Sequence, residues 1–271
     1  MNMNIPIKYP EEKTYIPTKQ EYVCRFCGKD KTQTTFKEVA HAIPEFTGNK
    51  TLLTKNECDT CNREFGQKYE DHLAKFLLPA NAFMQIRGKK GIPTYKNKDE
   101  TIRIETKDAK LHITHKNSKN VVFDRDNKTI LCELESQPFI PIKAYCAFLK
   151  MALSIMPEEE LINFQECIDY IKGEYKGIFK AFPSVLITFT NGNRPYYEIL
   201  NFICIRKEKN YNLPYMLYVL AFGNFMYQII VPSVVQDNLN NKEKPNYTIK
   251  AFPKISCIIL IVIGVGVRSN L

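Results

Sequence analysis

The chain has 271 residues, enough for one large domain or two ordinary ones, and its 44% hydrophobic and 12% aromatic content excludes a disordered chain. A net charge of +9 and a pI near 9.0 favour an anionic partner, either nucleic acid or a membrane surface. Nine cysteines, an odd number, follow an N-terminus with no charged-then-apolar leader pattern, which argues against a secreted disulfide scaffold and predicts reduced thiols in a cytoplasmic protein.

In chain order, residues 1–20 are polar and proline-punctuated and are expected to form an extended arm. "EYVCRFCGKDKTQTTF" predicts a strand and knuckle with a turn at Gly28, and "TFKEVAHAIPEF" a strand leading to a turn at Pro44. "NECDTCNREFGQKYEDHLAKFLLPA" predicts a second knuckle flowing into a helix that stops before Pro79. Phe65, Tyr69, His72, Leu73 and Phe76 recur near helical spacing and mark its buried face. "IRGKKGIPTYKNK", residues 86–98, is a basic, glycine-bearing linker candidate.

Beyond it, residues 101–135 alternate as short strands with polar turns. Residues 140–173 predict two helices broken at Pro157 and ended at Gly173. "SVLITFTNG", "YEILNFICIRKE", "YMLYVLAFGN" and "FMYQIIVPSV" return to strands, several nearly all apolar and so buried on both faces. The tail "ISCIILIVIGVGV", residues 255–267, falls short of the ~17–25 residues of a spanning helix and favours a buried strand, making a membrane association the weaker expectation. The expected fold class is α+β: a small N-terminal cysteine-bearing unit over residues 21–94, then a larger α+β domain over residues 95–271 that senses, recognises or oligomerises.

The strongest signal lies in the cysteines. Cys24 and Cys27 form one C-x2-C pair, and Cys58 and Cys61 another. Two such knuckles place four thiolates around one tetrahedral Zn²⁺, a closed structural site that stabilises a segment with a thin core of its own. Unrelated dithiols would not explain the matched spacing. Cys132, Cys146, Cys167, Cys204 and Cys257 are scattered in apolar contexts and are expected to be buried thiols. Between the clamped pairs lies His41, with Asn62 directly after the second knuckle. Alone, such a histidine is more often structural, and such an asparagine more often a helix cap.

"CRFCGKD", "AHAIPEFTGNK" and "NECDTCNREFGQKYED" together resemble the HNH endonuclease family, in the branch whose ββα-metal motif is braced by two zinc knuckles and is treble-clef-like. The resemblance covers residues 24 to about 72 and extends to bacterial HNH nucleases, some of which serve in defence against phage. It implies hydrolysis of DNA phosphodiester bonds with one divalent metal, Mg²⁺ or Mn²⁺, and it does not exclude RNA. On it, His41 matches the general base that deprotonates water. Asn62 matches a metal ligand through its side-chain oxygen. Asn49 is the first candidate for the middle, structural asparagine that fixes the loop behind His41, and Asn56 is its rival.

Many family members carry an acidic ligand immediately before the base, where this chain has Ala40. Mg²⁺ prefers hard oxygen ligands, so a carboxylate must come from elsewhere. Glu70, eight residues after Asn62 and near the same helical face, ranks first, with Glu57 and Glu45 below it, and His72 is an alternative ligand. Lys50, Arg63, Lys68, Arg87, Lys89 and Lys90 are candidates for phosphate contacts, with Lys55, Lys96 and Lys98 beside them, although a solvated basic loop explains many such residues. Ala40 is also the best support for the alternative, a non-catalytic zinc-knuckle module that binds nucleic acid or protein. Self-association is a further expectation for residues 95–271.

Overall fold

In the computed structural model, the described residues are 3–4, 12–116, 119–174, 184–208, 210, 212–239, 247 and 261–262. Strand β1 (Met3–Asn4) joins the large sheet described below, and β2 (Thr14–Tyr15) opens a small one. β3 (Ala40–His41) and β4 (Leu52–Thr54) complete the small sheet, antiparallel to each other, with His41 opposite Leu53. A 3₁₀ turn over Glu45–Thr47 and a left-handed Gly48 at φ +97° reverse the chain between them.

Helix α1 (Asp59–Phe65) follows the second knuckle and runs through a π-helical segment, Gly66–Glu70, into α2 (Asp71–Phe83). The expected stop before Pro79 is not made: α2 continues through this proline to Phe83. The ring removes one helical hydrogen bond, but it is buried together with Leu77 and Ala82, and that packing holds the turn. On the expected buried stripe, Phe65, Tyr69 and Leu73 are buried, while His72 and Phe76 are only half-buried.

The next strands, β5 (Tyr95–Lys96), β6 (Ile102–Lys107) and β7 (Lys110–His115), form one antiparallel sheet, and β8 (Val121–Asp124) pairs with β9 (Thr129–Cys132) as a hairpin. Pro141 opens α3 (Pro141–Ile155) at its first turn, where a missing N–H is tolerated. After Pro157 come α4 (Glu158–Leu161), a 3₁₀ turn and α5 (Gln165–Lys172), which ends at Gly173 with φ +87°, as expected. The large sheet has the order β1–β11–β12–β13–β10–β14, all antiparallel. It is built from β10 (Val185–Phe189), β11 (Tyr196–Ile205), β12 (Met216–Gly223), β13 (Phe225–Val231) and β14 (Ile261–Val262).

β12 and β13 are buried along nearly their whole length, as their apolar runs imply. At their turn, Gly223 has φ +61°, and a Cβ there would come within 2.6 Å of Met84 Sδ. Of the apolar tail, residues 261–262 form β14, and the rest, with Cys257, lies outside the described residues. Among the described residues, no helix is long and apolar enough to cross a membrane.

α3 is the centre of the molecule. Every residue from Ala144 to Ile155 is buried, and the helix packs against α2, the π segment and β13. One hydrophobic cluster includes Cys24, Phe26, Cys58 and Cys61 of the knuckles together with Tyr218, Phe222 and Tyr227 of the large sheet. The Tyr69 hydroxyl donates to Ile171 O at 2.6 Å and the Tyr145 hydroxyl to Ile230 O at 2.7 Å, so the π segment is tied to α5 and α3 to β13.

Candidate metal centre and active site

Four sulfur atoms, from Cys24, Cys27, Cys58 and Cys61, lie within 4.8 Å of one another. Cys27 Sγ and Cys58 Sγ are 3.8 Å apart. Zn–S bonds of ~2.3 Å at tetrahedral angles put sulfurs about 3.8 Å apart, so the spacing and the soft donor set fit Zn²⁺. Gly28 makes the knuckle turn at φ +70°, donating its N–H to Cys24 O at 2.7 Å. Hydrogen bonding from Cys61 pulls the Cys24 thiol down to about 4, while the same contact and burial drive Cys61 far up. Thiols this crowded cannot all ionise unaided, and a bound dication removes that conflict. The other cysteines follow expectation in part: Cys146 and Cys167 are buried, whereas Cys132 and Cys204 are half-buried.

His41 is half-buried on β3, and buried Ala40 occupies the position of the missing acid. Burial holds the imidazole below the ordinary histidine range. Glu45 and Glu70 oppose that shift, and Lys150 and Lys50 reinforce it. Lys50 pairs with Glu45 at 3.1 Å. Lys150 pairs with Glu57 at 3.0 Å and Glu70 at 3.2 Å. Side-chain exposure separates these carboxylates: 0% for Glu57, 19% for Glu70 and 21% for Glu45. Burial pushes the Glu57 carboxyl up to about 7, against the pull of Lys150. Glu70 and Glu45 are hard oxygen donors that reach solvent, whereas Glu57 is enclosed with its lysine; among the described residues, only the four cysteines gather closely enough to form a metal-ligand cluster.

Asn49 is fully buried and pins the loop after His41 with four bonds. Its Nδ2 donates to Ile43 O at 2.6 Å and Leu52 O at 3.0 Å, and its Oδ1 accepts from the N–H groups of Thr51 at 3.2 Å and Leu52 at 2.9 Å. Asn56 instead ties the N-terminal arm, donating to Thr18 Oγ1 at 2.5 Å and Gln20 O at 3.1 Å. Asn49→Ala is expected to lower unfolding free energy by about 2–4 kcal/mol in a denaturant titration, because it orphans several buried backbone groups at once. A change below about 0.5 kcal/mol, the range of a surface substitution, would contradict this role.

Asn62 lies inside α1, past the cap position held by Cys58, and its Nδ2 donates to Glu38 Oε2 at 3.4 Å. The π segment carries more residues per turn than an α-helix, so the eight residues from Asn62 to Glu70 make close to two full turns. Glu70 therefore returns to about the same face, roughly 12 Å along the axis by α-helical rise. The structure thus gathers His41, Glu45, Glu57 and Glu70 around two lysines and couples Asn62 to Glu38. His72 lies apart from this group in its bonding, its Nδ1 accepting from the Ile140 N–H at 3.0 Å.

Of the basic candidates, Lys50 is paired with Glu45, Arg63 with Glu38 at 3.5 Å, and Lys68 with Glu64 at 3.9 Å. Arg87, Lys89 and Lys90 are exposed on a turn closed by mutual Gly88–Gly91 hydrogen bonds. That turn abuts the loop after His41: a Cβ on Gly88 would meet Phe46 Cα at 3.4 Å, and Asn81 Nδ2 donates to Phe46 O at 2.9 Å.

Two residues outside this reading of the sequence shape the site. Lys150 is one. Arg25, between the first two cysteines, is the other, donating to Leu153 O and to Met156 O at the end of α3. A single lysine within "AYCAFLKMALSI" was the available signal for Lys150, since a charge in so apolar a helix requires a buried partner.

A ββα unit clamped by two cysteine knuckles, with a histidine on its first strand, defines a zinc-knuckle domain of the ββα type. Residues 24–78, about a fifth of the chain, match the sequence model of the HNH endonuclease family, so the N-terminal region is an HNH domain, followed by a larger β-rich region. No curated protein and no solved structure matches the chain.

Proposed function

We propose that the protein is a divalent-metal-dependent endonuclease that hydrolyses phosphodiester bonds in DNA. The observation that carries this reading is His41: a half-buried imidazole with lowered proton affinity, next to solvent-reaching carboxylates, within the family-matched segment. Neutral His41 takes a proton from the attacking water on a ring nitrogen. Glu70 would hold the metal, with Glu45 at the rim; Asn62, the oxygen donor that the resemblance assigns, stands roughly 12 Å along the helix axis from Glu70, too far for both to hold one ion. When bound, Mg²⁺ or Mn²⁺ supplies charge neutralisation at the scissile phosphate and the leaving 3′ oxygen. Asn49 holds the loop that carries the base.

Arg87, Lys89 and Lys90 contact backbone phosphates and position the strand without reading its sequence. Residues 21–94 form the nuclease unit, with zinc as its structural brace. Residues 95–271 recognise a target, sense a signal or mediate self-association, and a cytoplasmic role in defence against phage fits the resemblance.

The test is in the product ends. Because water is the nucleophile, cut DNA is expected to carry ligatable 5′-phosphate and 3′-hydroxyl termini. If RNA alone is cut and cyclic phosphate products form, a nucleotide hydroxyl is the nucleophile and the role of His41 is wrong. Buried Ala40 favours the non-catalytic reading, which predicts salt-sensitive binding without turnover.

A further inference from the structure

We propose that the helix α3, outside the family-matched segment, completes the nuclease site by supplying Lys150 as a positioning residue. This inference rests on the nuclease reading above. The Lys150 ammonium donates a hydrogen bond to the backbone carbonyl of His41 at 3.3 Å and forms ion pairs with Glu57 Oε2 at 3.0 Å and Glu70 Oε1 at 3.2 Å. One buried cation thus joins the strand of the base, the segment before the second knuckle and the π segment that presents Glu70. The lysine side chain is only 1% exposed, so it touches neither solvent nor substrate.

Its surroundings account for its charge. Two carboxylate oxygens within 3.2 Å supply the negative charge that a buried ammonium requires. Glu70 Oε1 is held by the lysine at 3.2 Å while the side chain stays 19% exposed, so the lysine restrains a carboxylate of the π segment that still reaches solvent. Glu57 is fully enclosed, and its carboxyl lies 3.0 Å from the lysine ammonium. A second tie holds the same helix: Arg25, inside the first knuckle, bonds Leu153 O and Met156 O, three and six residues beyond Lys150. α3 is therefore clamped to the zinc knuckle at its end and to the base strand at Lys150.

The test compares wild-type protein with Lys150→Met and with the charge-balanced double variant Lys150→Met/Glu57→Gln. The single change strands a buried carboxylate, and the double change removes both charges, a replacement that is often tolerated. The double variant is expected to keep its zinc and to bind duplex DNA within about twofold of wild type. Its kcat should fall at least ~30-fold with KM little changed, since orientation and not binding is lost. Amide exchange over residues 40–42 should rise about tenfold as β3 loses its anchor.

A folded double variant with wild-type kcat and unchanged exchange overturns the proposal. A double variant that will not fold overturns it too, because the lysine would then be holding the whole core and not the site. If wild-type protein cuts nothing while exchange over residues 40–42 still rises in the double variant, the positioning role stands and the nuclease reading falls.

Discussion

Stripping zinc from the protein with a chelator is expected to abolish its cooperative thermal transition below physiological temperature. The four sulfurs are already gathered within 4.8 Å, an arrangement that a bound ion would hold together. Structural zinc in small knuckles contributes about 10–16 kcal/mol, comparable with the whole stability of an ordinary domain, about 5–15 kcal/mol. The loss would not stay local. Cys24, Phe26, Cys58 and Cys61 belong to the same hydrophobic cluster as the large sheet. Arg25, held in position by its neighbouring ligands, bonds the last carbonyls of α3. Releasing the knuckle therefore frees the end of the helix that carries Lys150. Calorimetry before and after chelation, with metal content measured in parallel, checks this. A zinc-free protein that melts within a few degrees of the zinc-loaded one would show that the cysteines do not brace the fold.

The second large effect concerns His41. His41→Ala is expected to slow metal-dependent cutting by about 10²–10⁴-fold, the usual contribution of a positioned general base, with zinc content and melting temperature retained. The pH profile carries the sign. A general base works in its neutral form. Burial lowers the proton affinity of His41, so the neutral form persists to more acidic pH than for a free histidine, whose pKa is about 6.5. Wild-type cutting should be flat near neutrality and fall only as pH drops through that lowered value. The residual activity of His41→Ala should lack this acidic limb. An unchanged limb in the variant would assign the titration to another group.

How much of this was legible in the sequence depends on the range of each interaction. The knuckles were legible because two residues between cysteines and a glycine after the first pair are local signals, and Gly28 adopts the positive φ that such a turn requires. The breaks at Pro157 and Gly173 were equally local. Pro79 misled because its helical position is held by burial against distant residues, which local propensity does not contain. The π segment, which returns Glu70 to the face of Asn62, leaves no periodic mark of its own within five residues. Lys150 is 93 residues from Glu57 and 80 from Glu70, counting from their numbers, so only the packed core brings the three together. The candidate carboxylates could be named in advance, and a lone lysine in an apolar helix signals a buried partner, but which carboxylates it meets is set only by the packed core.

The account's central claim is that the clamped His41 pocket cuts DNA, and a plasmid assay tests it most directly. Zinc-loaded protein is incubated with supercoiled plasmid while Mg²⁺ or Mn²⁺ is titrated in, beside a chelator control and His41→Ala. Nicked and linear DNA appearing with added metal in the wild-type lane alone is the predicted result. Plasmid that stays supercoiled at every metal concentration, or that is cut equally by the alanine variant, would contradict it.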